Sequence, residues 1–180
     1  ATTTHPAVMK AVILELRKRG ISDITIADSP GGPYTRSALQ GIYETCGMAE
    51  ASWQLGAKLN LDTGWQTVHN PDNLKVTHFN IINPVADTDL VISIGKLKTH
   101  GMTTLSGGVK NLFGYVPGLQ KPELHYRFTE KTDFCEMLVD LALTIKPALT
   151  IMDAVVSMAG NGPSGGTPRK TGFMSASNDP

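Results

Sequence analysis

Only two cysteines, Cys46 and Cys135, occur in the 180-residue chain, far apart in sequence. A structural zinc or iron–sulfur site needs a local cluster such as C-x-x-C, so no metal ligand set is expected within these residues. Both cysteines fall at apolar positions of expected helices and read as small core residues kept reduced, which fits a cytoplasmic compartment. Net charge is missing as well, because 16 Lys+Arg balance 16 Asp+Glu. That balance excludes a general nucleic-acid binder and a polybasic membrane binder, though not a local patch. No apolar run approaches the ~18 residues of a membrane-spanning helix, and no basic start followed by an apolar stretch marks a signal peptide.

What is present is glycine and proline, 18 and 11 residues, beside a hydrophobic content of 41%. This composition predicts one α/β domain over residues 1–180 with many ordered loops: a mostly parallel or mixed sheet with flanking helices. Helical spacing of apolar residues runs from 6 to 19, closed by Gly20, and again over 36–46, 48–55 and 133–145. Buried strands are expected over 23–27, 89–94 and 149–152, with short strands or a hairpin between 58 and 82 and a last strand over 171–177. A helix that starts almost at residue 1 and a final Asn178-Asp179-Pro180 turn read as an excised fragment of a longer chain.

The three buried strands each empty into a glycine-rich or polar loop, and in a parallel sheet such loops collect along one edge, where α/β proteins bind ligands. The second is the most informative. Residues 90–122 contain no Asp or Glu but hold Lys96, Lys98, His100, Lys110 and Lys121. Ser106, Gly107 and Gly108 open an expected short helix, whose backbone N–H groups suit an anion. With Thr99 and Asn111 nearby, the mixture points to a phosphate, carboxylate or nucleotide; a solvated basic loop is the plain alternative. No P-loop is present, because Gly108 is followed by Val109 before Lys110. The segment Gly160-Asn161-Gly162-Pro163-Ser164-Gly165 satisfies G-x-G-x-x-G formally, but no helix follows it. It reads instead as a glycine-walled loop whose Asn161 and Arg169 face the same cleft as His100. Asp28 and Asp153 each end a strand and would face one cleft if their strands are neighbours; for Asp28 a helix cap is favoured over a general base or metal ligand. Of the five histidines, His5, His69, His78 and His125 lack a motif, and His100 is the exception.

At Lys96-Leu97-Lys98-Thr99-His100, Gly107-Gly108-Val109-Lys110-Asn111-Leu112-Phe113-Gly114 and Gly160-Asn161-Gly162-Pro163 the chain resembles the family called domain of unknown function 362. That resemblance implies a prokaryotic protein of no assigned general activity, often carrying a 4Fe–4S cluster in an attached ferredoxin-like module. This chain lacks every cysteine of such a module. His100, Ser106-Gly107-Gly108 and Lys110 are also similar to a segment of the lactate racemase family. That similarity implies a nickel-type cofactor attached at Lys110 and an acid/base role for His100, with no clear counterpart for the second catalytic histidine. The leading expectation is a small-anion-binding domain; an isomerase or redox enzyme using His100 and Lys110 is the second, and a structural or interaction module the third.

Overall fold

The computed structural model describes residues 2–180. Its first half is a small helical layer. Helix α1 (Pro6–Lys18) starts on His5, whose Nδ1 accepts from the Ala7 N–H at 3.2 Å, with Pro6 at the first helical position. Strand β1 (Thr25–Ile26) leads through the 28–33 loop to α2 (Arg36–Thr45) and α3 (Met48–Leu55). Thr35 caps α2 through its side chain, accepting from Ala38 N–H at 3.3 Å. Gly47 separates α2 from α3 in a left-handed conformation, φ 76°, which Gly adopts without steric cost. Strand β2 (Lys58–Leu59) pairs parallel with β1. Ile13, Leu39, Tyr43 and Met48 from the three helices bury against Ile26 and Ile82.

The expected hairpin is formed by β3 (Trp65–His69) and β4 (His78–Ile82), which pair antiparallel. Successive residues of β4 point to opposite sides. Ile82 enters the helical core above, while Ile81 enters a second core with Phe79, Leu112, Phe113, Phe134, Met137 and Leu141. After the one-turn α4 (Asn83–Ala86) come β5 (Ile92–His100), β6 (Thr104–Ser106), α5 (Gly108–Asn111) and two 3-10 turns, Leu112–Tyr115 and Gly118–Gln120. Helices α6 (Lys121–Arg127) and α7 (Lys131–Ile145) follow, then the long strands β7 (Leu149–Ala159) and β8 (Thr167–Ser177). The main sheet has the order β6-β5-β7-β8, with β5 and β7 parallel and both edges antiparallel. The fold is therefore α/β with a mixed sheet.

Two expectations are corrected. The segment 95–100 is strand rather than loop, because β6 on one side and β7 on the other supply its backbone partners despite its glycine and lysines. The first buried strand also does not join the other two: β1 pairs with β2 in a separate two-stranded sheet. Its end still reaches the end of β5 by another route, through the turns that follow α5.

One buried carboxylate fixes the hairpin to α7. Asp140, 2% exposed, accepts from the backbone N–H groups of Leu74, Lys75 and Val76 at 3.0, 2.6 and 2.9 Å. Asn73 adds bonds from its Nδ2 to the Val76 carbonyl and the Thr144 hydroxyl, both at 2.8 Å. Replacing Asp140 with Ala strips three donors of a charged acceptor, one of them fully buried, so the expected loss is about 3 kcal/mol of unfolding free energy. Urea denaturation of the variant against wild type measures it; a loss below about 1 kcal/mol would show that water replaces the carboxylate.

Candidate functional site

The acid-free stretch does not remain a string of surface lysines. Lys98 and His100 stand at the end of β5, Lys110 on α5, and Lys121 and His125 on α6, four residues apart and hence on one helix face. Between them lies the Phe113 ring. The Lys110 Nζ is 4.6 Å and the Lys121 Nζ 5.8 Å from its centroid, and the His125 ring meets it edge-on at 5.5 Å while stacking on Phe134 at 4.5 Å. An ammonium over an aromatic face gains from the ring's quadrupole, which partly offsets the loss of water.

Asp28 and Ser29 close the cluster from the end of β1. Two glycines make that approach feasible. A Cβ on Gly114 would sit 2.6 Å from Asp28 Oδ1, and one on Gly118 would collide with the carbonyl oxygens of Pro30 and Gly32, at 2.4 and 2.5 Å. With both side chains absent, Ser29 N–H donates to the Gly114 carbonyl at 2.9 Å and Lys121 Nζ donates to the Ser29 carbonyl. Among the described residues the fully buried Ser29 hydroxyl has no hydrogen-bond partner, and the same holds for the buried Thr99 Oγ1 beside His100. Asp28 itself is open to solvent although protein surrounds it densely, as at the floor of a cleft.

Electrostatics follow from this crowding. Partial loss of water pushes the Asp28 carboxyl above its usual range, opposed by the charges of Lys121 and Lys98. Burial lowers Lys110 to about 8, helped by the like charges of Lys121 and Lys98. Lys121 also falls to about 8 through burial, with Asp28 pulling the other way, and Lys98 is lowered by burial against the same pull of Asp28. Burial and the charge of Lys110 lower both His100 and His125 below the ordinary imidazole value, which favours the neutral form of each ring. His100 is further fixed in form: its Nδ1 accepts from Met102 and Thr103 N–H at 3.2 and 3.3 Å, which leaves Nε2 to carry the ring proton.

The other sequence-predicted residues go elsewhere. Lys96 forms an ion pair with Asp153 at 2.7 Å, with side chains 6% and 1% exposed. Asp153 also accepts from His5 N–H and Val155 N–H, so it does not share a cleft with Asp28 but holds the start of α1 to the sheet. The pairing of β5 with β7 slips between Lys96 and Lys98, which separates the fates of these two lysines. The start of α5 is also not an anion cradle. The helix has four residues, Ser106 is buried, and a Cβ on Gly108 would meet Thr150 and Pro180 at 2.9 and 3.2 Å. Asn111 is spent on Ser93, its Nδ2 donating to the hydroxyl at 2.9 Å. The 160–166 loop touches the β5 end through Gly162, whose missing Cβ lets it pack on the Thr99 carbonyl. Asn161 is exposed, and Arg169 lies exposed on β8 with no hydrogen bond or ion pair from its side chain to the cluster among the described residues. Sequence reasoning counts Lys121 among the cations of the acid-free stretch but does not single out Ser29 or His125; His125 lies just beyond that stretch, four residues after Lys121.

Two surface concavities are mainly apolar, one lined by Val109, Val139, Leu143, Lys146, Pro147 and Asp179, the other by Ala7, Ala11, Glu15, Ile151 and Met174. Neither includes a residue of the cation cluster. Among the described residues no three His, Cys, Asp or Glu are placed to hold a metal ion, and no helix is long and apolar enough to cross a membrane. Cys46 ends α2 and Cys135 lies in α7, so these residues do not fit the four-thiolate set of an iron–sulfur cluster.

A relative, a thylakoid-associated protein of Synechocystis sp., is 34% identical over 177 residues, which is 98% of this chain but 53% of that protein. The chain thus spans about half the length of this relative. The family described as a domain of unknown function, DUF362, matches residues 1–180, and the chain belongs to it.

Proposed function

We propose that the domain binds a small anionic ligand, a phosphate, nucleotide or carboxylate, in the cleft between Lys98, Lys110, Lys121, His100 and His125. The observation that carries this reading is an imbalance of charge: three ammonium groups converge, Lys98 and Lys121 feeling the Asp28 carboxylate and Lys110 only the like charges of the other two. The Lys110 ammonium makes no ion pair or hydrogen bond among the described residues, resting instead over the Phe113 ring. Amines pushed toward neutrality by one another and by burial gain most from an anion, since it reverses the cause of their depression. The unpartnered Ser29 hydroxyl adds a neutral donor beside Lys121. Calorimetry with sulfate, AMP and citrate at pH 7 is expected to show binding by wild type and at least a tenfold weaker Kd for Lys110→Met and Lys121→Met. Absence of binding by wild type to all three defeats the reading.

A second reading is favoured by His125. The lactate racemase resemblance lacks a second histidine in sequence, and this reading assigns that place to His125, whose ring feels the charge of Lys110 as His100 does. A nickel-type cofactor joined to Lys110 would serve as hydride or electron acceptor, with His100 and His125 moving protons at their ring nitrogens. A mass increase on Lys110 in protein from its native host supports this reading, and an unmodified mass removes it. An iron–sulfur cluster acting with this domain would draw its thiolates from outside these residues. We place the domain in the cytoplasm; association with a thylakoid, as in the relative's name, is the competing arrangement that cell fractionation separates.

A further inference from the structure

Lys110 differs from its neighbours in what its amine touches. Lys121 donates to the Ser29 carbonyl and Lys98 to the Thr2 carbonyl at 2.9 Å. The Lys110 Nζ, by contrast, lies against the Phe113 ring, half-buried, without a hydrogen-bond partner among the described residues. An amine held near an apolar surface and next to other cations is a lysine made nucleophilic, because its neutral form is present near pH 7 and its lone pair is not engaged. At a value of about 8, roughly a tenth of the amine is neutral at pH 7. Lys98 and Lys121 remain available for an anionic group, and the charge of Lys110 reaches the rings of both His100 and His125.

We propose that the cleft accepts a small anionic carbonyl compound, a 2-oxo acid or a phosphorylated aldehyde, and that Lys110 condenses with its carbonyl to form an imine. The inference rests on the anion-binding reading, since Lys98 and Lys121 hold the carboxylate or phosphate while Nζ attacks. Attack forms the C–N bond as the C=O π electrons move to oxygen, and a proton passes from nitrogen to that oxygen to give a carbinolamine. His125, entering the step as its imidazolium, then delivers a proton to the hydroxyl, which leaves as water while the nitrogen lone pair forms C=N, and the iminium N–H returns that proton to the ring; His100, with its ring proton on Nε2, donates a hydrogen bond to the developing oxyanion. One amine and one carbonyl become one imine and one water, with no change of oxidation state.

The test uses glyoxylate and pyridoxal 5′-phosphate as probes, with sodium borohydride to reduce any imine to a stable secondary amine, and peptide mass mapping to locate it. The expected result is an adduct at Lys110 at least tenfold more abundant than at the exposed Lys18 and Lys58, suppressed by sulfate. It is absent from Lys110→Arg and Lys110→Met; the arginine variant keeps the charge should the methionine variant misfold. Labelling spread over surface lysines without preference for Lys110 overturns the proposal. Sulfate calorimetry is run in parallel: sulfate binding with no adduct at Lys110 overturns the imine and leaves anion binding standing, whereas no sulfate binding removes both.

Discussion

Lys96→Met is expected to lower the unfolding free energy by about 3–5 kcal/mol, because it leaves the Asp153 carboxylate buried without its counter-charge. The pair joins β5 to β7 in the middle of the main sheet at 2.7 Å, and Asp153 simultaneously receives the His5 N–H at 3.0 Å. One substitution therefore loosens both the sheet and the N-terminal segment, whose Thr4 hydroxyl donates to the Ile94 carbonyl at 3.3 Å. The double variant Lys96→Met/Asp153→Leu is expected to recover most of the loss, since an apolar pair of similar volume has no desolvation to repay. If the double variant is no more stable than the single one, packing rather than charge sets the effect.

The same pair makes a pH signature. Burial alone would raise Asp153, but the Lys96 ammonium and the His5 and Val155 N–H groups outweigh it and hold the carboxyl below the ordinary carboxylate range. A folded pKa below the unfolded one gives stability that is present above about pH 4 and lost as pH falls through the folded value. The wild-type advantage over Lys96→Met should thus narrow in acid, where protonation also relieves the variant's unpaired charge. Urea denaturation at about pH 7 and about pH 3 measures both limits.

Much of the fold was legible because its helices announce themselves: Pro6, Thr35 and Gly56 mark ends, and Met48–Leu55 falls where the apolar spacing puts it. The strand over 95–100 was not, because Gly95 and two lysines disguise a segment whose strand character comes from its neighbours β6 and β7. The site divided in the same way. The lack of carboxylates over 90–122 located the cation cluster and His100 with Lys110. It could not separate Lys96 from Lys98, since that depends on a slip in strand pairing. Nor could it promote His125, whose neighbours Phe113 and Phe134 arrive from other elements.

Sulfate affinity is expected to fall by roughly 10²–10³-fold between about pH 7 and pH 9.5, as two amines lose their charge. Lys110 and Lys121 both titrate near 8, so the cationic form that attracts the anion dominates below that value and vanishes above it. Sulfate does not itself titrate in this window, so the slope belongs to the protein. In acid the imidazoles of His100 and His125 charge as well, and affinity should rise again, at lower pH than for free histidine because both are held below the usual value. Stability of the ligand-free protein moves in the opposite sense. A lysine whose folded pKa is about 8 binds fewer protons than its unfolded counterpart between that value and 10.5, so these two groups make the empty protein more stable as pH rises through that window. Thermal shift by sulfate should therefore be large at pH 7 and absent at pH 9.5, while the melting temperature without sulfate does not fall in step. A sulfate affinity that stays flat across the range would mean that the anion sits on arginine or backbone elsewhere. Lys110→Met and Lys121→Met each halve the slope if both amines meet the same anion, and only one of them does so if the ligand spans a single lysine.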